Sequence, residues 1–346
     1  MNSIVHQHLQ PLLDRMNDLL SSLNFACNAA GLLYLADLQT MQLRSALTGS
    51  SSLLDAFMVC PGAYRQQDAP SLSKGEYPAC AAMTTGYVFR VENEATVLQL
   101  QRLGKAGHLT TLSVSMTSND SNVSWTKTIV DGINNQASVC YATTLALTLS
   151  AILALNRLED CAALISLLVL IVTRLIDVVI FRRRARLGWK GAPEPGVRGD
   201  LLVLLSQDRW VRLQGMVDDI KTITSGQWLR EITFLESSLV SFSTLLVFLN
   251  AAFVSKSTRD GQFVLIALMF GSAGMLGLAN HYTQISHIYG RQIKPEGPAR
   301  PYRRRLDLAE QLIAETGRDD WAIRLGMIQP KTNYTKQEHK LGPKIM

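Results

Sequence analysis

Residues Cys161 to Ile180, CAALISLLVLIVTRLIDVVI, form a predominantly apolar run that is followed at once by FRRRARLGWK. About twenty such residues wound as a helix cross a hydrocarbon layer of about 30 Å. Arginines massed at the end of a span mark the face held toward the cytosol. Together they make the chain an integral membrane protein.

Three more runs share this character: Ala137 to Leu155, Ser237 to Ser255 and Gln262 to Asn280. The polar turns NRLED and KSTRDG join them in pairs. The fold expected is therefore an all-α membrane protein of two transmembrane helical hairpins, residues 137–180 and 237–280, with helical cytoplasmic segments. Around them lie a mixed N-terminal region (1–136), a basic loop (181–236) and a basic tail (281–346). A fifth span over Leu19 to Ala36 is the alternative. However, Asn24 and Asn28 share a face, Gly31 weakens the helix and Asp37 closes it, so an amphipathic or interfacial helix is preferred.

Arg182, Arg183, Arg184, Arg186 and Lys190 crowd the central loop, and Arg291, Lys294 and Arg300 the tail, whereas the two short turns carry only Arg157, Lys256 and Arg259. The positive-inside rule then makes the N-terminal region, the central loop and the tail cytoplasmic. The formal net charge of +6 is read in the same way. The basic residues stand beside the spans, so Arg182, Arg183, Arg184 and Arg186 point to anionic headgroups and not to nucleic acid. The sequons at Asn119, Asn122 and Asn333 need lumenal exposure, which this orientation denies them.

Outside the spans, Met1 to Thr48 carries an apolar stripe at helical spacing, and Gly49 to Ala81 is rich in turn formers. GYVFRV is strand-like and ENEATVLQLQRLGKAGHL helix-like. Lys190 to Gly199 reads as a linker and Asp200 as an N-cap. It would open an amphipathic helix in which Trp210, Leu213, Val217 and Ile220 recur at three and four residues, lying on the membrane or on another helix. LDLAEQLIAETG is a further helix, followed by a polar tail expected to be mobile.

The blocks DGINNQASVCYATTLALTLSAILALNRLED and GDLLVLLSQDRWVRLQGMVDDIKTITSGQWLRE resemble segments of a group of fungal multi-pass membrane proteins with no assigned activity. The resemblance covers about a third of the chain and implies a membrane protein without implying a chemistry.

Among residues that could carry chemistry, Arg174 and Asp177 stand out, because an ionisable group inside a span is costly and needs a partner. At i, i+3 they share a face and can neutralise each other. A snorkelling pair near the cytoplasmic end, a buried structural pair and a proton or ion pathway are the readings open. Ala267, Gly271, Gly274 and Gly277 are expected to let another helix approach closely, with Asn250 hydrogen-bonding across the contact.

His281 and His287 lack ligand spacing, and Arg198-Gly199-Asp200 reads as an incidental tripeptide. Asp218-Asp219 and Asp319-Asp320 lack the flanking repeat of a diphosphate site. The five cysteines (Cys27, Cys60, Cys80, Cys140 and Cys161) show no CxxC spacing. No phosphate loop or GxSxG is present either, so no catalytic, cofactor or metal site is assigned. The leading expectation is a non-enzymatic membrane scaffold or regulator, with a homo-oligomer possible. A small oligomeric transporter or channel, and an accessory membrane protein of fungal specialised metabolism, are the alternatives.

Overall fold

A computed structural model describes residues 30–66, 69–116, 136–283 and 285–330. The three sequons, Cys27, most of 19–36 and the tail from residue 331 lie outside the described residues. In chain order the elements are α1 (Ala30–Tyr34), α2 (Thr40–Thr48), a 3-10 turn (Leu53–Phe57), α3 (Ala69–Leu72), β1 (Ala79–Ala82), β2 (Val88–Arg90), α4 (Glu94–Leu103) and β3 (His108–Met116). Then come α5 (Gln136–Arg157), α6 (Cys161–Arg184), β4 (Arg198–Leu205), β5 (Arg209–Met216), α7 (Val217–Thr224), α8 (Phe234–Phe253) and α9 (Arg259–Tyr282). The C-terminal part adds β6 (Ser286–Ile288), β7 (Arg291–Pro295), β8 (Arg300–Pro301), α10 (Arg305–Thr316) and α11 (Asp320–Arg324).

The all-α expectation is overturned by an eight-stranded mixed sheet of order β2-β1-β4-β5-β3-β7-β6, with β8 beside β3. Among the described residues only β3 and β5 pair in parallel. The expected amphipathic helix from Asp200 is a hairpin, β4–β5, turning through Gln207 and Asp208 at positive φ. Trp210 and Leu213 are therefore buried strand residues, and only Val217 and Ile220 are helical.

Both faces of this hairpin are covered. Leu201, Val203, Val211 and Leu213 pack with α4 and α7 residues such as Leu100 and Ile220. Leu202 and Trp210 pack with Leu308, Leu312 and Trp321 of α10 and α11. A strand buried on both sides reads as a continuous apolar run, and its period of two disappears. Asp200 lies within β4, where its carboxylate takes the Arg212 guanidinium at 2.5–3.0 Å.

The sheet is built from three stretches of chain: β1–β3 before α5, β4–β5 between α6 and α8, and β6–β8 after α9. Each helical pair is thus an insertion into the sheet domain, and all three stretches lie at the same end of the four long helices. Those helices are long and apolar enough to cross a membrane, with mean hydropathies of 1.8, 2.6, 1.8 and 1.8. Within the bundle α5 packs chiefly along α9 and α6 along α8, while the sequential neighbours α5 and α6 touch less. Half of the apolar window of α6 is buried, against 22% for α8. The central helix is therefore α6, and the Leu and Phe side chains of α8 face outward.

Two contacts fix the ends of the bundle. At the far turns, buried Asp160 caps α6 through Ala163 N–H at 3.0 Å. It also accepts from Thr258 N–H at 2.7 Å and Thr258 Oγ1 at 2.6 Å. At the sheet end, Phe181 meets Trp228 edge-on with centroids 5.5 Å apart, and Arg184 Nε donates to the Arg230 carbonyl at 3.1 Å.

Candidate functional site

Arg174 and Asp177 are both buried on α6, yet no hydrogen bond joins them. A loop, Cys60–Gln66, lies against this face instead. Arg174 Nη1 donates to the Ala63 carbonyl at 3.0 Å, and Gln66 Nε2 donates to Asp177 Oδ1 at 3.1 Å. Arg174 Nε and Asp177 Oδ2 stay buried without a protein partner, beside cavities of about 10 Å³ each, roughly the room of one water.

Nearby polar groups serve helix contacts: Asn250 Nδ2 donates to the Ser166 carbonyl at 3.0 Å, and Ser243 Oγ to the Thr173 carbonyl at 3.4 Å. Asn250 therefore bridges α8 to α6, not to the glycine-rich α9. Such side chain to backbone bonds between helices are a usual means of holding a bundle in lipid.

Ala267, Gly271, Gly274 and Gly277, expected to pack closely, are not among the buried residues of α9. Ala267 and Gly274 are exposed, a Cβ added at Gly274 or Gly277 would meet nothing within 4 Å, and one at Gly271 would come 3.3 Å from Leu147. The buried face carries Leu265, Leu268, Met269, Ser272, Leu276 and Ala279. Close approaches made possible by glycine are at Gly31, where a Cβ would lie 2.1 Å from the Ala251 carbonyl oxygen of α8, and at Gly261 in the first turn of α9, where one would lie 2.0 Å from Asp160 Oδ2.

Arg182, Arg183 and Arg186 are exposed beside the end of α6, with Leu187 and Trp189. Arg183 pairs with Glu236 at 3.4 Å. Arg184 is buried and faces Arg230, so it is withdrawn from any headgroup. His281 is exposed at the end of α9, and His287 lies in β6. Among the described residues no group of three metal-ligating side chains gathers. Cys60, Cys80 and Cys140 are buried and free, and Cys161 is free and exposed.

A larger concavity than those beside Arg174 and Asp177 lies elsewhere, at the edge of the sheet. The parallel pairing of β3 with β5 ends at Val114 and Gly215, where a Cβ on Gly215 would sit 2.3 Å from the Val114 carbonyl oxygen. The chain then turns directly into α7. Between these ends, the β1–β2 turn and the first residues of β4 opens a cleft of two lobes, which share Thr84, Arg198, Gly199 and Asp200.

One lobe, of about 570 Å³, is walled mainly by apolar side chains including Ala82, Phe89, Leu201, Val217 and Ile220. The other, of about 670 Å³, presents Ser113, Ser115, Gln214, Asp219 and Glu296. Gly199 forms the wall between them and α7, since a Cβ there would come 3.1 Å from Val217 Cγ2 and 3.2 Å from Ile220 Cδ1.

Most charges around the cleft are already matched. Asp200 holds Arg212, whose pKa is raised by its hydrogen bonds to Asp200 despite opposing burial. Asp219 takes Arg291 Nε at 2.8 Å, and Lys221 pairs with Glu194. Arg198, which borders both lobes, and Glu296, in the polar lobe alone, have no side-chain partner among the described residues. The tripeptide set aside in the sequence as incidental thus lines the cleft. No local motif announces it, because its walls come from three stretches of chain separated by two membrane hairpins.

Comparison with protein-family models, curated proteins and solved structures gives no match.

Proposed function

We propose that this chain is a non-enzymatic, membrane-anchored binding or regulatory protein whose working surface is the cleft of the sheet domain. The observation that carries the reading is the contrast in free volume. The two lobes, about 570 and 670 Å³, fall within the range of about 300–1,000 Å³ usual for small-molecule sites. They also open at the carboxyl ends of the parallel pair β3 and β5. In the bundle, the cavities beside Arg174 and Asp177 are about 10 Å³, which supports a structural role for that pair over a path for ions. The arginines at the end of α6 support a cytoplasmic position for the sheet domain.

The reading is tested in two assays on one preparation. The full chain in neutral-lipid nanodiscs should bind a solvatochromic apolar dye saturably, at one site weakened by Val217→Asp. The same chain in vesicles should add no flux for ions or small metabolites. Specific flux abolished by Arg174→Leu, together with unsaturable dye uptake, would establish the transporter alternative in its place.

A further inference from the structure

We infer that the cleft selects an amphiphile, an apolar chain or ring system bearing one anionic head, with the head at Arg198. The inference rests on the preceding reading of the cleft as a binding site and adds the chemistry of the occupant.

The apolar lobe offers Phe89, Leu201, Val217 and Ile220 to a hydrophobic body, and burying such surface supplies most of the affinity of pockets of this kind. At the junction with the polar lobe stands Arg198, the first residue of β4, exposed and unpaired among the described residues. The other cation on the apolar wall, Lys221, is held by Glu194 and by the Ala192 carbonyl. One guanidinium is thus free, among the described residues, to meet an anion at the junction where Ser113, Ser115 and Gln214 join the lining, and guanidinium pairs carboxylate or phosphate in a bidentate fork.

Beyond it the polar lobe limits the charge of the head. Ser113, Ser115 and Gln214 offer hydrogen bonds, while Glu296 is an unpaired carboxylate. A second negative charge would meet Glu296, whereas a hydroxyl or ammonium donor would be accepted by it. This favours a singly charged head with donors further out, and it disfavours a polyphosphate. Both a soluble monoacyl anion and a bilayer lipid have this chemistry. The linker from α6 to β4, with Leu187 and Trp189 exposed and Glu194 and Val197 on the cleft wall, joins the membrane helix directly to the site.

The test uses the full chain in phosphatidylcholine nanodiscs, with an intrinsically fluorescent polyene fatty acid as probe and the matching fatty alcohol as control. The fatty acid should bind saturably, one per chain. Arg198→Gln, an exposed change, should weaken it about ten- to a hundredfold, the range of a lost charge-assisted hydrogen bond, and leave the alcohol unchanged. Glu296→Gln should improve binding of an alkyl phosphate relative to the fatty acid. Displacement by anionic phospholipid in the disc supports a bilayer source, and displacement only by soluble monoacyl anions supports an aqueous one. If acid and alcohol bind equally and Arg198→Gln alters neither, the anionic assignment is overturned while the cleft remains a site. If neither binds saturably and the apolar dye does not either, the cleft reading falls with it.

Discussion

The far ends of the two hairpins meet at a single carboxylate, and its removal should loosen the whole bundle. Asp160 is 5% exposed and receives Ala163 N–H, Thr258 N–H and Thr258 Oγ1 at 3.0, 2.7 and 2.6 Å. Gly261 leaves the room for it, since a Cβ there would stand 2.0 Å from Asp160 Oδ2. Asp160→Ala removes a helix cap, about 1 kcal/mol, and two hydrogen bonds from Thr258, an exposed residue whose donors solvent can reach, at about 0.5–1.5 kcal/mol each. A loss of about 2–4 kcal/mol follows. Asp160→Asn keeps one acceptor oxygen and should lose about half as much.

The charge also makes the effect depend on pH. Burial pushes the Asp160 carboxyl up, but hydrogen bonds from the Thr258 side chain and from nearby backbone amides outweigh it and hold the group below its ordinary value. A depressed folded pKa means that the stabilisation is complete above the unfolded value of about 4 and fades as pH falls through the folded one. Thermal unfolding in nanodiscs, followed by tryptophan fluorescence, should show a gap between wild type and Asp160→Asn that is constant near neutrality and closes in acid. A gap of the same size at about pH 3 and pH 7, or an Asp160→Ala protein that melts with the wild type, would refute the reasoning.

Gly31→Ala places a methyl against the Ala251 carbonyl and should cost about 1–3 kcal/mol by overpacking. Gly274→Ala, with nothing within 4 Å, should leave the melting temperature unchanged. Arg212→Gln leaves Asp200 and Glu315 without the guanidinium that joins β4 to α10. It should cost about 2–3 kcal/mol, with faster amide exchange in α10. Cys161 is exposed whereas Cys60, Cys80 and Cys140 are buried. With Cys27 replaced by serine, an impermeant maleimide should therefore reach Cys161 from one side of a vesicle only. Cysteines introduced at Leu187 and Lys294 should label from the other side, and a split between those two would contradict a sheet domain confined to one face.

The four helices long and apolar enough to cross a membrane were legible to within about four residues at each end. Ala137 to Leu155 became Gln136–Arg157, and Gln262 to Asn280 became Arg259–Tyr282, because in lipid a helix must satisfy its own backbone and shows as an apolar run. GYVFRV and LDLAEQLIAETG also lie where their patterns place a strand and a helix, whereas of ENEATVLQLQRLGKAGHL only Glu94–Leu103 is helical, and His108 and Leu109 at its end open β3. What the residues hid is the sheet. In LLVLL both side-chain sets are apolar, and the spacing of Trp210, Leu213, Val217 and Ile220 bridges a strand–helix junction that happens to mimic a helical period. The strands β6 to β8 are short and carry Pro295 and Pro301, so they read as loop. Nothing local can announce that His108–Val114 pairs with Arg209–Gly215 across a membrane hairpin, and the cleft depends on that pairing.

The same topology fixes an order of assembly. Strand β3 has β5, β7 and β8 as partners, and all three lie beyond α6, the last two beyond α9. A chain halted before β6 holds every membrane helix, but β3 then has only one of its neighbours. The face of the β4–β5 hairpin that carries Leu202 and Trp210 also loses α10 and α11, its cover. Pairings this distant in sequence cost loop closure before they return contacts, so the sheet should close only after both hairpins are inserted. A truncation ending at Thr283 should accordingly remain resistant to carbonate extraction, yet trypsin should cut it at Arg209 and Arg212, which the intact sheet protects. If those two sites stayed as protected in the truncated chain as in the full one, β1, β4 and β5 would be a self-sufficient unit and the proposed order of assembly would be wrong.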